Sequence, residues 1–314
     1  MKHLMRNAAT SAAVAFAIAA GIWACASSGG GISGTSIVIG AIAGFGSIVV
    51  DDIVFDTTNA VVTIEGDDAT VDDLRLGMFV FVRGKVNERR RTGVAERVAS
   101  DHLLEGPVDG VNAGAGTFSA LSQLVITDAN TVFDQTTLST LGPGELVEIF
   151  GVLDADASIR ATRVERKDAI TEIELTGVIT NFDPVAETFQ FGILTIDFSS
   201  ALLESIPPGG LADGLLVEVE AEEPPVDDVL VAVGVEMRAD LMFEDGDGAE
   251  IEGFVTKIVS TNEFLMNVTQ RVLITGTTRF ERGTRDDLVL NAEIEVEGFF
   301  ESDGTLIAEE IEFR

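Results

Sequence analysis

Tyrosine is absent from this sequence, tryptophan and cysteine occur once each, and histidine twice, in 314 residues. The lone Cys25 allows no intramolecular disulfide and no multi-cysteine metal centre. His3 and His102 are too few for zinc, which needs several His or Cys ligands. A serine or cysteine hydrolase needs a base beside its nucleophile. The one imidazole outside the N-terminal segment is His102, in Ser100-Asp101-His102 just past the end of a repeat, where a lone histidine reads as an ordinary linker residue. Basic side chains are also scarce, 20 against 53 acidic ones, for a formal net charge of −33. That field repels phosphate backbones, and with Trp23 as the only large stacking side chain besides phenylalanine, nucleic-acid partners are excluded. No glycine-rich stretch carries the lysine of a phosphate loop. The sequence implies no cofactor, and its acidity reads as colloidal solubility.

What is present begins with a basic start, Lys2, His3 and Arg6, followed by an apolar run from Ala8 to Gly21. The run is short and alanine-rich for a membrane-spanning helix and matches the core of a signal peptide. Ile22-Trp23-Ala24-Cys25 resembles the bacterial lipobox, which implies cleavage before Cys25 and lipidation of its thiol. Ala24-Cys25-Ala26 also fits an ordinary A-x-A cleavage site, which would release a soluble chain beginning at Ser27. The sole cysteine at the right place, with the flexible Ser27–Gly31 stretch behind it, favours lipidation. The expectation is a signal peptide over 1–24, a Gly/Ser-rich tether over 25–36, and a lipid-anchored protein of the outer membrane. A periplasmic or secreted location is the alternative.

The strongest signal is internal repetition. Gly77–Gly84, Gly144–Gly151, Gly214–Ala221 and Asn291–Gly298 each frame an apolar, strand-like stretch. A second element follows each at a near-constant distance: Ala95–Val98, Ala161–Val164, Ala232–Val235 and Ala308–Ile311. Upstream lie opening strands at Gly40, Gly110, Gly177 and Gly253, and short runs such as Leu124–Thr127, Leu194–Asp197 and Val272–Thr275. Enrichment in Val, Ile, Thr and Phe, cut by Gly, Asp, Asn and Pro, indicates short strands and turns. Thr137–Leu141 and Ala201–Ile206 read as short helical turns between them.

In the fourth copy Ile294 and Val296 alternate with Glu293, Glu295 and Glu297, so one face is apolar and the other is expected to be solvated. The matching inward pairs are Val80/Val82, Val147/Ile149 and Val217/Val219. Short sheets of this size must curl to bury their apolar face. The predicted fold is therefore all-β: four tandem small barrels of five to six strands, of the oligonucleotide/oligosaccharide-binding kind. Their expected bounds are 37–105, 106–170, 171–243 and 249–314, with dense contacts inside copies and sparse ones between them. The Gly44-Phe45-Gly46-Ser47-Ile48 opening, the Leu-x-x-Gly-x-x-Val-x-Val-x-Gly core and the Ala-x-x-Val/Ile end resemble a repeat domain of unknown function found in tandem in bacterial secreted proteins and lipoproteins. The resemblance implies a fold and no catalytic residues. The third copy departs most, with Ala221 for the framing glycine and interruptions at Pro207-Pro208 and Pro224-Pro225.

Aligned core strands place Phe81 where the other copies carry Glu148, Glu218 and Glu295, and Phe150 where they carry Arg83, Glu220 and Glu297. These rings point away from their own barrels and need a cover, as does Phe79. The expectation is that the first two copies pack against one another or a partner through this face while the fourth stays solvated. Glu244-Asp245-Gly246-Asp247-Gly248 offers hard oxygen ligands of the kind calcium takes, with Asp245 and Asp247 as candidates, but it lacks the EF-hand spacing and reads first as a linker. Arg89-Arg90-Arg91 reads as a solvated hairpin tip able to pair with the acidic surface. The functional expectation is a non-catalytic scaffold of the cell envelope, meeting an envelope protein or polysaccharide. A carboxylate-dependent envelope enzyme and a calcium-dependent adhesive module are the alternatives.

Overall fold

The computed structural model describes residues 35–238 and 243–314, so the signal segment, Cys25 and most of the tether lie outside the described residues. Every described copy is built of β-strands, joined by turns and single 3-10 turns such as Val71–Asp73 and Arg285–Asp287. No described helix is long and apolar enough to cross a membrane.

Each copy has the same wiring. In the second, the core strand Leu146–Leu153 lies antiparallel to the opening strand Leu104–Asn112 on one side and to the closing strand Ile159–Lys167 on the other. The opening strand continues into the hairpin strands Thr117–Ala120 and Gln123–Ile126, and the latter returns parallel to the closing strand. That path curls the sheet around Val108, Phe118, Val125, Val147, Ile149 and Val164, all buried. The period-two alternation causes the curl: with one apolar face and too few strands to cover it, the sheet closes on itself.

A bulge sits at the framing glycine in three copies. Pairing slips between Arg83 and Gly84, between Phe150 and Gly151, and between Glu297 and Gly298. A Cβ at Gly84, Gly151 or Gly298 would lie 2.2, 2.1 or 2.0 Å from a carbonyl oxygen of the closing strand, so only glycine permits the approach. Past the bulge the core strand continues as an arm. Lys85–Asn87, Val152–Leu153 and Phe299–Phe300 cover the start of the closing strand.

The copies are not beads on a string. The opening strand of the first copy, Thr35–Gly44, pairs in parallel with that of the fourth, Gly248–Ser260, through Ser36–Ile39 and Gly248–Ile251, merging both into one 12-stranded sheet. The opening strands of the second and third copies join through Glu105↔Glu174 and Leu104↔Leu175. The expectation of sparse contacts between copies is therefore corrected: backbone ladders cross two of the seams. The sequence showed strands but not which edges would stay open, and an unpaired edge seeks a partner. A second correction concerns Ala201–Ile206, which holds the short strand Leu202–Glu204 beside Gly234–Met237 instead of a helical turn.

Candidate functional site

The titratable groups of interest converge where copies meet. Position by position, the core-strand residue that faces outward is Phe81, Glu148, Glu218 or Glu295, flanked in every copy by the inward Val/Ile pair. In copies two to four a second glutamate lies directly across the ladder: Glu148↔Glu165, Glu218↔Glu236 and Glu295↔Glu312. Like charges opposite one another are destabilising. The closing strand supplies the remedy two residues on: Lys167 lies 3.1 Å from Glu148, Arg238 lies 2.5 Å from Glu218, and Arg314 pairs with Glu295. This Glu–Glu–cation unit repeats three times. In the first copy the equivalent pair is apolar, Phe81↔Ala99, and the closing strand ends at Ser100, just before Asp101 and His102.

His102 is the centre of the larger seam. It is only 3% exposed. Its Nδ1 lies 2.9 Å from Glu65 of the first copy and 3.6 Å from Glu148 of the second, and its Nε2 lies 2.8 Å from Glu174 of the third. Its backbone N–H donates to Glu65, and its carbonyl accepts a 3.2 Å bond from Arg238. The Phe150 ring meets the imidazole edge-on at 6.1 Å. Burial opposes charge on the imidazole, but Glu148, Glu174 and Glu65 outweigh it and hold His102 protonated well above its ordinary range. Burial pushes Glu105 up to about 7, and Glu218 likewise to about 7, helped by Glu65 and Glu174 and opposed by Arg238. The reading of His102 as an ordinary linker residue is thus corrected. It is a buried cation shared by three copies, each contributing a carboxylate.

A second seam joins copies one and four. Asp51, Glu250 and Glu295 are all buried there. Arg91 lies 2.6 Å from Glu250, and Arg314 reaches Asp51 at 2.8 Å as well as Glu295. Burial, with Asp51 alongside, raises Glu250 to about 9, so this acid carries a proton at neutral pH. Glu295 is therefore not on a solvated face, contrary to the alternation's simplest reading. The face is outward from its own copy yet covered by the next. Arg91, expected in a solvated tip able to pair with acidic surface, does pair with Glu250 but is half-buried in this seam.

Both carboxylate clusters bring ligand atoms within 4.8 Å of one another, close enough to share a cation. Protein cations already sit among them: His102, Lys167 and Arg238 in one, Arg91 and Arg314 in the other. Of the calcium candidates, Asp247 is buried, lies 3.1 Å from Arg83 and accepts a bond from the Glu244 N–H at 2.8 Å, while Asp245 is exposed. Open clefts among the described residues include two. One, of about 650 Å³, is lined by Phe45, Asp56, Asp72 and Arg75; the other, of about 320 Å³, lies between copies two and three beside Ile170, Ile173 and Glu222. Neither is lined by Glu105, Glu218 or Glu250, the carboxyl groups whose pKa burial raises.

The aromatic residues singled out from the sequence all lie in seams. Phe150 is fully buried in the hydrophobic cluster of the first copy, while Phe79 and Phe81 pack against that of the fourth. The inward side chains remain Val80, Val82, Val147 and Ile149. The cover expected over Phe81, the second copy or another partner, is the fourth copy. Sequence reasoning missed Glu65, Glu174, Asp51 and Glu250. It could have found the cations, since Lys167, Arg238 and Arg314 each follow the last inward residue of the closing strand (Val164, Val235, Ile311) by three positions.

With that geometry described, comparison with known proteins adds the family. Residues 38–99, 105–165 and 252–312 match the domain of unknown function DUF5666, so the chain belongs to that family, three times over. The third copy is not among the matched ranges. No curated protein matches the chain. Among solved structures, drosophila Unr CSD456 is similar over 68% of this chain and 98% of its own, at 12% identity and a TM-score of 0.17, a level from which nothing is argued.

Proposed function

We propose that this protein is a non-catalytic scaffold of the bacterial cell envelope, an outer-membrane lipoprotein held by a lipid on Cys25 and presenting its acidic surface to an envelope partner. One observation carries the reading. The carboxyl groups whose pKa burial raises, Glu105, Glu218 and Glu250, lie in seams between copies, with Glu218 beside Arg238, Glu250 beside Arg91 and Glu105 across the ladder from Glu174 of the third copy. An enzyme working through carboxylates would gather them in a cleft open to substrate. Lipid attachment follows from the Ile22–Cys25 sequence and the tether behind it. Membrane fractionation of the native host tests the anchor: the wild-type chain should sediment with membranes, and Cys25→Ser should release it. A wild-type chain recovered in the soluble fraction and beginning at Ser27 would overturn it. Cross-linked pull-down from the same membranes tests the scaffold role, which fails if no envelope component is enriched over a vector control.

A further inference from the structure

The first copy carries an aromatic ring at a place where its siblings carry none. The tip of the hairpin that follows each opening strand spans residues 45–47, 113–116, 184–187 and 261–262 in the four copies, and Phe45 is the one aromatic residue among these tips. The ring is 49% exposed and is not among the side chains packed against the hydrophobic cluster of its copy. Gly46 beside it, at φ 120°, supplies the left-handed backbone of the turn. The core of the first copy therefore does not account for Phe45.

Phe45 lines the cleft of about 650 Å³ together with Leu74, Asp56, Thr58, Asp72 and Arg75. Sites for small ligands span roughly 300–1,000 Å³. The polar groups are held by their own turns. Asp56 Oδ1 accepts from the Thr58 N–H at 2.9 Å and from the Thr58 hydroxyl at 2.6 Å, which keeps this carboxyl below its usual range, an acceptor of hydrogen bonds and not a proton donor. The turn that carries Asp72 is fixed by Thr70, whose N–H and hydroxyl donate to Asp73 at 2.9 and 2.6 Å. One guanidinium nitrogen of Arg75 donates to the Asp72 carbonyl and, at 2.9 Å, to that of Leu74. Among the described residues no hydrogen bond or ion pair reaches Asp56 Oδ2, the Asp72 carboxylate or the other guanidinium nitrogens of Arg75. The cleft thus sets acceptors, a donor fork and a ring side by side on braced turns.

A neutral polyhydroxyl ligand uses every one of these groups. Carboxylates accept from its hydroxyls, the guanidinium donates to its oxygens, and the ring covers a face of C–H groups. An anion would meet Asp56 and Asp72 in a chain of formal net charge −33, and an organic cation would meet Arg75, so either charged class finds a group opposed to it. A wholly apolar ligand would strand two carboxylates and a guanidinium without water. We infer that the first copy binds a neutral oligosaccharide in this cleft, with a sugar ring stacked on Phe45 and its hydroxyls held by Asp56, Asp72 and Arg75. The inference rests on the reading of the protein as a partner-binding envelope scaffold and names the chemistry of one partner.

The test uses the full chain with cellotetraose, maltotetraose and chitotetraose as probes, and spermidine and tripolyphosphate as charged controls. Calorimetry should show saturable binding of at least one tetrasaccharide, weakened at least tenfold by Phe45→Ala and by Asp72→Ala. Leu124→Ala, which trims an exposed side chain of the second copy, should leave that binding unchanged. In the wild-type chain the amide signals of Gly46, Thr58 and Asp72 should move on adding the same sugar while that of Gly116, in the tip of the second copy, stays, a readout that needs no variant. No binding of any of the three sugars, undiminished binding by either cleft variant, or unmoved amide signals would overturn the inference. So would tighter binding of spermidine or tripolyphosphate that Phe45→Ala weakens, since the occupant would then be charged. Failure here with envelope partners still recovered by pull-down would remove the cleft assignment and leave the scaffold reading standing.

Discussion

Phe150 tests whether the copies form one body, because it belongs to the second copy and is buried in the first. Replacing it by alanine removes a ring that is completely shielded from water. The transfer term alone is roughly 2–3 kcal/mol. The surrounding strands are tied by backbone ladders on both sides and can collapse little, so the cavity term brings the cost to about 3–5 kcal/mol. One wall of the cavity is the His102 imidazole, and water reaching it would recover part of the loss. The lower half of that range is therefore expected, near 3 kcal/mol. Phe150→Glu, which installs the residue type found at Glu220 and Glu297, should cost more, since it adds a carboxylate to an apolar core close to Glu65 and Glu148. The assay is urea unfolding of the full chain with linear extrapolation. Phe45→Ala serves as control, because that ring is 49% exposed and its loss should stay within about 0.5 kcal/mol. A Phe150→Ala loss below about 1 kcal/mol, or a Phe150→Glu chain as stable as wild type, would place the ring in water and refute the docking of copies one and two.

Two further outcomes follow. Glu105 and Glu218 at about 7, Glu250 at about 9 and a raised His102 mean that the folded chain holds more protons than the unfolded one between about pH 5 and 8. The carboxyl contributions are complete below the unfolded value near 4.5 and fade as pH rises through the folded values, and that of His102 is complete below 6.5 and fades likewise. The urea midpoint should thus fall from pH 5 to pH 8, by at most about 1.4 kcal/mol per pH unit for each proton involved, and a flat or rising midpoint would contradict the seams as drawn. Gly298→Ala should cost about 2 kcal/mol or more and loosen the Phe299–Phe300 arm, because its Cβ would sit 2.0 Å from the Ile307 carbonyl oxygen. An unchanged melting temperature would mean that the glycine is not what permits the arm.

What the sequence disclosed was everything set by short-range alternation and by repetition. Val80/Val82, Val147/Ile149, Val217/Val219 and Ile294/Val296 face inward as read, since a strand's period of two admits one choice once the apolar residues are seen. That Phe81 and Phe150 need a cover was legible for the same reason. Which copy covers them was not, because it depends on sheet edges hundreds of residues apart, such as Ser36 against Gly248. His102 shows the limit most clearly. Its partners Glu65, Glu148 and Glu174 come from three copies, and each alone is an unremarkable glutamate in a chain with 53 acidic residues. The solvated reading of Glu295 failed for a related reason: alternation says which face a side chain takes, and says nothing of what lies beyond that face.

The scarcity of cations explains where the copies meet. With 20 basic residues against 53 acidic ones, self-repulsion works against any compact packing of the repeats. Lys167, Arg238 and Arg314 sit at one repeated position, where Lys167 and Arg314 each lie beside both facing glutamates of their own copy and Arg238 beside Glu218, and Arg238 and Arg314 also reach a carboxylate of another copy, at Glu65 and Asp51. Removing one partner of a buried pair typically costs about 3–5 kcal/mol, because the other is left uncompensated. The first copy lacks a cation at that position and has Phe81 and Ala99 instead of the two glutamates, so its face can press against copy four without one. The third copy keeps its cation but has lost the glycine at Ala221, and with it the arm. Its core thus keeps the same charge pairing to its neighbours, and its departure from the other copies is confined to the hairpin arm beyond Ala221, where Val226 bridges to Val229.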